Sequence, residues 1–273
     1  MGRVAGTLSK GEPIWGLTTL DSHLYVLRGN KSTEQIEVYK LDSCRLLRCF
    51  TVRGLDTPQD IVACGHNRCA YISDASHRSL HRIALPIGGP ITQWPVNDQP
   101  NCLSLTVRYS VLVTCLKVRK LKEFTTDGQL IREIVLSQEV LSPWHAVQLS
   151  SGEFIVCHGN PDDPLHRVCL IGSDGQVVKS HGGQPGSGSL EMNVPVHMAV
   201  DGNGFVFVAD VNNCRVSLLS PTLTYLREVV SREQFQWKNR RLSLDVKRRR
   251  LYVAESEHKD GKYTAGRVII VSV

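Results

Sequence analysis

The stretch Pro195–Thr222, PVHMAVDGNGFVFVADVNNCRVSLLSPT, decides the fold. Its apolar residues come in short runs separated by turn formers. His197–Val200 leads into Asp201-Gly202-Asn203-Gly204, where the two glycines are expected to supply the positive φ of a tight two-strand turn. Phe205–Asp210 is rich in β-branched and aromatic side chains. Val211-Asn212-Asn213 turns the chain again, and Arg215–Leu219 makes a third run before Ser220-Pro221. No run is long enough, or periodic enough at 3.6 residues, to prefer a helix. The stretch reads as three consecutive antiparallel strands.

A lone meander of three strands cannot bury its apolar faces, so the unit has to recur. A proline followed by a short apolar run stands at Pro13, Pro58, Pro100, Pro143 and Pro195, and Asn239–Leu244 takes the place of a sixth, at steps of about 42 to 52 residues. That period is the length of a propeller blade. The expectation is an all-β chain, one six-bladed β-propeller of four-stranded blades spanning 1–273 as a single domain. Arg3–Ser9 precedes the first repeat, and the last repeat stops at its third strand, Arg267–Val271. The N-terminal strand is therefore expected to complete the last blade and remove the open sheet edge. The glycines and serines of Ser180–Asn193 predict a flexible surface loop, and Glu255–Gly266 a loop without a readable motif.

The pattern P-x-x-x-A-V-D-G-N-G-x-x-x-V-A-D-x-x-N-x-R-V, carried by Pro195–Val216, resembles the NHL repeat, the blade of six-bladed propellers that end many tripartite-motif (TRIM-NHL) ubiquitin ligases. Blade four matches it in part, through Pro143–Val147, Ser151-Gly152-Glu153, Arg167-Val168 and Ser173-Asp174-Gly175. The other blades share the period without the Ala-Asp and Asn-x-Arg signatures. The resemblance implies a non-catalytic recognition module that holds a protein partner on its top rim, as the substrate-recognition part of a ubiquitin-ligase system. RING, B-box and coiled-coil heptads are absent from this sequence, so that link requires a partner or a longer parent protein.

Composition narrows the classes further. Of 273 residues, 41% are hydrophobic and 21% charged, as in ordinary globular domains. No apolar run approaches a membrane span, Met1-Gly2-Arg3 opens no signal peptide, and Gly6 stands where a myristoylation motif needs Ser or Thr. A cytoplasmic monomer without a membrane contact is the expectation. Nine cysteines without a C-x-x-C pair read as reduced thiols, not as a zinc finger or a disulfide framework.

Two residues after each proline, or its equivalent, stand Trp15, Asp60, Cys102, His145, His197 and Arg241. This ring is expected at the channel mouth, in a place where the NHL pattern often has glycine. Asp60, His145 and His197 there form either a hydrogen-bonded cluster, a ligand-binding ring or a metal set. The third reading makes the chain a metal-dependent lyase or hydrolase. In amidating-lyase propellers, however, the metal-bound His directly follows the proline, one place earlier than here. A Cys102–His dyad lacks an orienting third group. No catalytic residue, metal or cofactor is assigned from the sequence. The remaining candidate is a basic top rim of Lys117, Arg119, Lys120, Lys238 and Arg240, within a chain of 32 Lys and Arg against 26 Asp and Glu. With Phe235 and Trp237 beside it, such a rim suits the phosphates and bases of RNA, although acidic residues share the same face.

Overall fold

The computed structural model describes residues 2–8, 10–29, 33–86 and 89–273. Six antiparallel four-stranded sheets follow one another along the chain. Blade one consists of Ile14–Leu20, His23–Arg28, Gln35–Lys40 and Leu46–Thr51; blade two of Pro58–Cys64, Cys69–Asp74, Ser79–Ala84 and Ile91–Pro95. Blade three is Leu103–Leu105, Val111–Cys115, Lys120–Phe124 and Leu130–Val135; blade four Pro143–Gln148, Phe154–His158, His166–Ile171 and Val177–Gly183. Blade five is Pro195–Val200, Val206–Asp210, Arg215–Leu219 and Tyr225–Val230. Blade six takes Lys238–Asp245, Arg250–Lys259 and Lys262–Ser272 from the C-terminal end, and Arg3–Thr7 from the N-terminal end as its outer strand. Arg3 pairs with Ser272 and Val4 with Val271, so the ring closes by hydrogen bonds between the two ends of the chain.

The strand pattern follows from where the apolar surface goes. In blade one, Tyr25 and Leu27 face blade two, while Leu24 and Val26 face blade six. Successive side chains of a strand point to opposite faces, and here both faces are covered, which is why the second strands are continuous apolar runs. The buried side chains form six clusters, each lying between two neighbouring blades. Among the described residues each core cluster is shared between blades, so the blades hold together as a closed ring.

Three local expectations need correction. In the turn after Val200 only Gly204 has a positive φ, of 86°; Gly202 does not, because the Asp201 carboxylate organises the turn by accepting from the N–H groups of Asn203 and Phe205. Ser180–Asn193 is not a loose loop. The buried guanidinium of Arg215 donates to the carbonyls of Ser187, Gly188 and Glu191 and tethers it. Glu255–Gly266 is a β-hairpin, in which the second and third strands of blade six run on past the blade through the pairs His258↔Tyr263 and Lys259↔Lys262.

Candidate functional site: the polar plug of the channel and the rim above it

Each inner strand except the short one of blade three carries a bulge near its first residue. Pro58 pairs with Asp74 and Asp60 with Ser73, so Gln59 is the extra residue. The same step makes Trp144, Val196 and Arg240 the extra residues of blades four, five and six. In blade one Ile14 pairs with Arg28 and Gly16 with Leu27. The counterpart of Asp60, His145, His197 and Arg241 is thus Gly16, and Trp15 does not belong to the channel ring. Pro13 stands three residues before its channel position, Gly16, whereas the other prolines stand two before theirs, so two places on from Pro13 lies Trp15. Glycine is required at position 16 because a Cβ there would lie 2.6 Å from the amide nitrogen of Ile61 and 2.7 Å from Asp60 Oδ1. Gly16→Ala is expected to cost about 1–3 kcal/mol, as overpacking does in a dense core, measured by urea unfolding.

The five remaining residues meet in the channel, and none lies open at a mouth: Asp60 is 1% exposed, Arg241 2%, His145 3% and His197 5%. Each polar group ties its own inner strand to another. His145 accepts the Met198 N–H at Nδ1, 3.2 Å away, so its proton sits on Nε2 and is donated to the Leu103 carbonyl at 3.2 Å. His197 repeats the arrangement one blade on: Nδ1 accepts from Leu242 N–H at 3.3 Å, and Nε2 faces Asp60 Oδ2 at 3.4 Å. The two imidazoles stack with centroids 3.9 Å apart and planes 8° from parallel. Asp60 also accepts from the N–H groups of Ile61 and Leu103. Arg241 lies on the other side, with Nε 3.6 Å from Asp60 Oδ1 and a bond of 2.7 Å to the Gln59 carbonyl.

Burial and the neighbouring ring push the His145 pKa well below the usual imidazole value. Burial also lowers His197, against the pull of Asp60. Both are neutral at pH 7. Burial alone would raise the Asp60 carboxyl, but the His197 hydrogen bond and the Arg241 charge hold it below the usual carboxylate range. The plug therefore contains one charge pair, Asp60 and Arg241. Asp60, His145 and His197 place one ligand atom each within 4.8 Å of one another. In this arrangement every imidazole nitrogen is already committed, both Nδ1 atoms to backbone N–H groups and both Nε2 atoms as donors. A metal would have to break those inter-blade bonds, so the donor set does not fit one. Burial pushes the Cys102 thiol up to about 12, which leaves no thiolate for a nucleophilic role.

The bulge turns its extra residue away from the channel, onto the top rim in blades one, four and six, and into the core in blade five, where Val196 is buried. Trp15 and Trp144 occupy this place in opposite blades, and each indole N–H is held by the carbonyl of an equivalent glycine, Gly29 at 3.1 Å and Gly159 at 3.3 Å. Both rings are half-buried. The hairpin of blade six leans over the first of them: Tyr263 meets Trp15 edge-on at 5.9 Å, and the Arg240 guanidinium stacks on Tyr263 at 4.2 Å. Beside Trp144 a cavity of about 170 Å³ is lined by Gln59, Ala75, Gln99, Asn101 and Lys117.

The basic rim is less free than its sequence suggests. Lys120 is paired with Glu133 at 2.8 Å, Lys238 donates to the Asn212 side chain, Arg119 donates to the Gln138 carbonyl, and Arg240 lies on Tyr263. Lys117 is exposed.

A second column is visible in the sequence only at Asp210, in the Ala-Asp signature of blade five. Five of the second strands end on Arg28, Asp74, Cys115, His158 and Asp210, and Glu255 holds the equivalent place in blade six, where the strand runs on to Lys259. Asp210 accepts from Asn193 N–H, Asn213 Nδ2 and Arg215 Nε, so the A-D-x-x-N-x-R signature is a cage for a buried carboxylate. Glu255 repeats it with the N–H groups of Gln236 and Trp237 and with Arg267. There the arginine stands twelve residues on instead of five, because the hairpin intervenes. Strand pairing aligns them alike, Asp210 with Arg215 and Glu255 with Arg267.

No protein-family pattern matches the sequence, and neither does any curated protein. Solved structures do match in three dimensions. The PQQ-bound aldose sugar dehydrogenase of Streptomyces coelicolor aligns over 99% of this chain and 98% of its own at 13% identity, with a TM-score of 0.69. A chain of a nidogen/laminin complex aligns over 84% of both at 13% identity and a TM-score of 0.66. Streptogramin B lyase aligns over 96% of this chain and 98% of its own at 10% identity and a TM-score of 0.65. Enzymes and a binding module thus share this architecture, and at such identities the likeness establishes the six-bladed propeller and no activity.

Proposed function

We propose that the chain is a non-catalytic recognition module which binds a protein partner on its top rim. The observation that carries this reading is the division of labour at the bulge. The residue facing the channel is spent on a plug whose imidazoles and carboxylate are tied to other inner strands, and the one before it presents Trp15, Trp144 and Arg240 at the rim. Among the described residues, both imidazoles and the carboxylate of the channel are engaged with neighbouring strands. Half-buried indoles with their N–H groups fixed, flanked by Tyr263, Arg240 and a shallow cavity, are the kind of rigid aromatic and arginine anchors that dominate protein interfaces. The NHL-like sequence of blade five adds a narrower reading, in which the partner is a substrate of a ubiquitin ligase. RNA is the weaker alternative, because four of the five basic rim residues are engaged within the protein.

The experiment is capture of partners from extract by the wild type and by a Trp15→Ala, Trp144→Ala, Tyr263→Ala variant, followed by affinity measurement on the purified pair. Loss of at least about 2 kcal/mol, some 30-fold, is expected of anchors in such a place. Unchanged capture by the triple variant would rule the rim out. Captured RNA, lost on reversing Lys117 and Arg119 to Glu with a steep salt dependence, would replace the protein reading.

A further inference from the structure

Asp74 is the blade-two counterpart of Asp210 and Glu255, yet it lacks their arginine. The carboxylate is fully buried, and backbone N–H groups of Asp56, Thr57 and His77 reach it as in the other blades. In blade five the side-chain donors are Asn213, three residues on, and Arg215, five residues on. In blade two the corresponding positions hold His77 and Ser79, and Ser79 is too short to reach. The next residue on that face of the strand is His81. Among the described residues, the ion-pair partners of Asp74 are these two imidazoles alone: His77 Nδ1 at 2.9 Å and His81 Nε2 at 3.8 Å, both to Oδ2. A buried carboxylate without a cation is costly. Blade five answers with a guanidinium, and blade six with another.

We propose that in blade two a divalent transition-metal ion of the zinc class takes the arginine's place, ligated by Asp74 Oδ2, His77 Nδ1 and His81 Nε2. The three atoms lie within 4.8 Å of one another. Ligands at about 2.0–2.1 Å around a tetrahedral ion stand roughly 3.3 Å apart, and the separations of 2.9 and 3.8 Å bracket that value. Without an ion His77 Nδ1 donates its hydrogen to Asp74 Oδ2, and metal binding displaces that proton. Gln93 donates to Ser79 Oγ, so the Ser79 hydroxyl hydrogen points at His81 Nε2, 3.3 Å away; that nitrogen carries a lone pair with its proton on Nδ1, and a turn of one hydroxyl frees the lone pair for the ion. His81 is buried and fixed, whereas the His77 side chain is 47% exposed. Two His and one carboxylate with the fourth position toward solvent is a donor set for zinc, or for iron or cobalt. The central plug offers the same residue types, but there backbone N–H groups occupy the Nδ1 atoms, whereas among the described residues no backbone N–H donates to either imidazole beside Asp74.

The test uses the full chain after treatment with a chelator and titration with Co(II), then displacement by Zn(II). One equivalent of Co(II) is expected to give visible bands of a four-coordinate nitrogen and oxygen site, without a thiolate charge-transfer band from the nine cysteines. His77→Asn is the deciding variant. It restores the side-chain amide found at Asn213, so Asp74 keeps a donor while the metal loses a ligand. Affinity is expected to fall by more than the roughly 10–100-fold that loss of an outer-shell partner costs, and His81→Gln should do the same. His66→Gln, on the opposite face, should bind as the wild type does. Zn(II) should raise the Tm of the wild type and leave that of His77→Asn unchanged. No stoichiometric Co(II) in the wild type, retention in His77→Asn, or a thiolate band would each overturn the assignment.

Discussion

Arg241→Met is expected to remove about 3–5 kcal/mol of stability, the cost of leaving a buried charge without its partner. Asp60 is surrounded by two N–H donors, one imidazole N–H and the guanidinium, and only the last brings a positive charge at pH 7. Methionine fills similar volume, so packing between blades two and six changes little while the charge disappears. The loss of the bond from Arg241 to the Gln59 carbonyl adds to the effect. Asp60→Asn in the Arg241→Met background should recover part of the loss, since a neutral amide no longer needs the cation. Urea unfolding of the two single variants and the double variant measures the coupling. A loss below about 1 kcal/mol for Arg241→Met would mean that His197 takes up a proton to replace the lost charge, or that Asp60 does not depend on the guanidinium.

The same region shows what a sequence does and does not disclose. Period and turn chemistry carried the fold, because a closed ring demands one apolar unit per blade at a constant step, and the tight turn at Asp201–Gly204 marks one such unit plainly. The missing strand of blade six was readable from the leftover segments at the two ends of the chain. What stayed hidden depended on register. A bulge leaves no mark of its own, and a proline one residue too early moved Trp15 into the channel ring and Gly16 out of it. Trp144 was the available signal: aligning Ile14-Trp15-Gly16 with Pro143-Trp144-His145 puts both tryptophans on the rim. The Glu255–Arg267 pair was hidden because a hairpin separates partners that lie adjacent in space. Asp74, His77 and His81 were hidden because the cage of blade five is recognised by its arginine, which blade two lacks. Five of the six inward residues are legible in the sequence, but the engagement of Asp60, His145 and His197 by backbone groups of other blades is a tertiary fact that no spacing reveals.

Stability should fall as the pH drops below about 6.5, well before the carboxylates titrate. His145, His158 and His197 are nearly or fully buried, and burial lowers all three, His158 to about 4. A depressed imidazole pKa means that between the folded value and the unfolded value of about 6.5 the unfolded chain binds a proton the folded chain refuses. Acidification through that window therefore favours unfolding, by about 1.4 kcal/mol per pH unit for each such group, and His158 alone accounts for roughly 3 kcal/mol between pH 6.5 and 4. The structural cause differs between sites. Protonating His145 or His197 at Nδ1 would set a donor against the N–H of Met198 or Leu242, whereas His158 would gain a proton at Nε2, which has no partner. Asp60 and Asp74, held below the usual range, lose their contribution only as the pH falls through their folded values, below about 4. Asp210, pushed up by burial, acts in the opposite sense. The urea midpoint is thus expected to hold from pH 7.5 to about 6.5 and then to drop steadily to pH 5, and His158→Gln to flatten part of that slope. A midpoint unchanged over this range would show that the imidazoles are protonated in the folded protein, and the neutral stack that closes the channel would have to be abandoned.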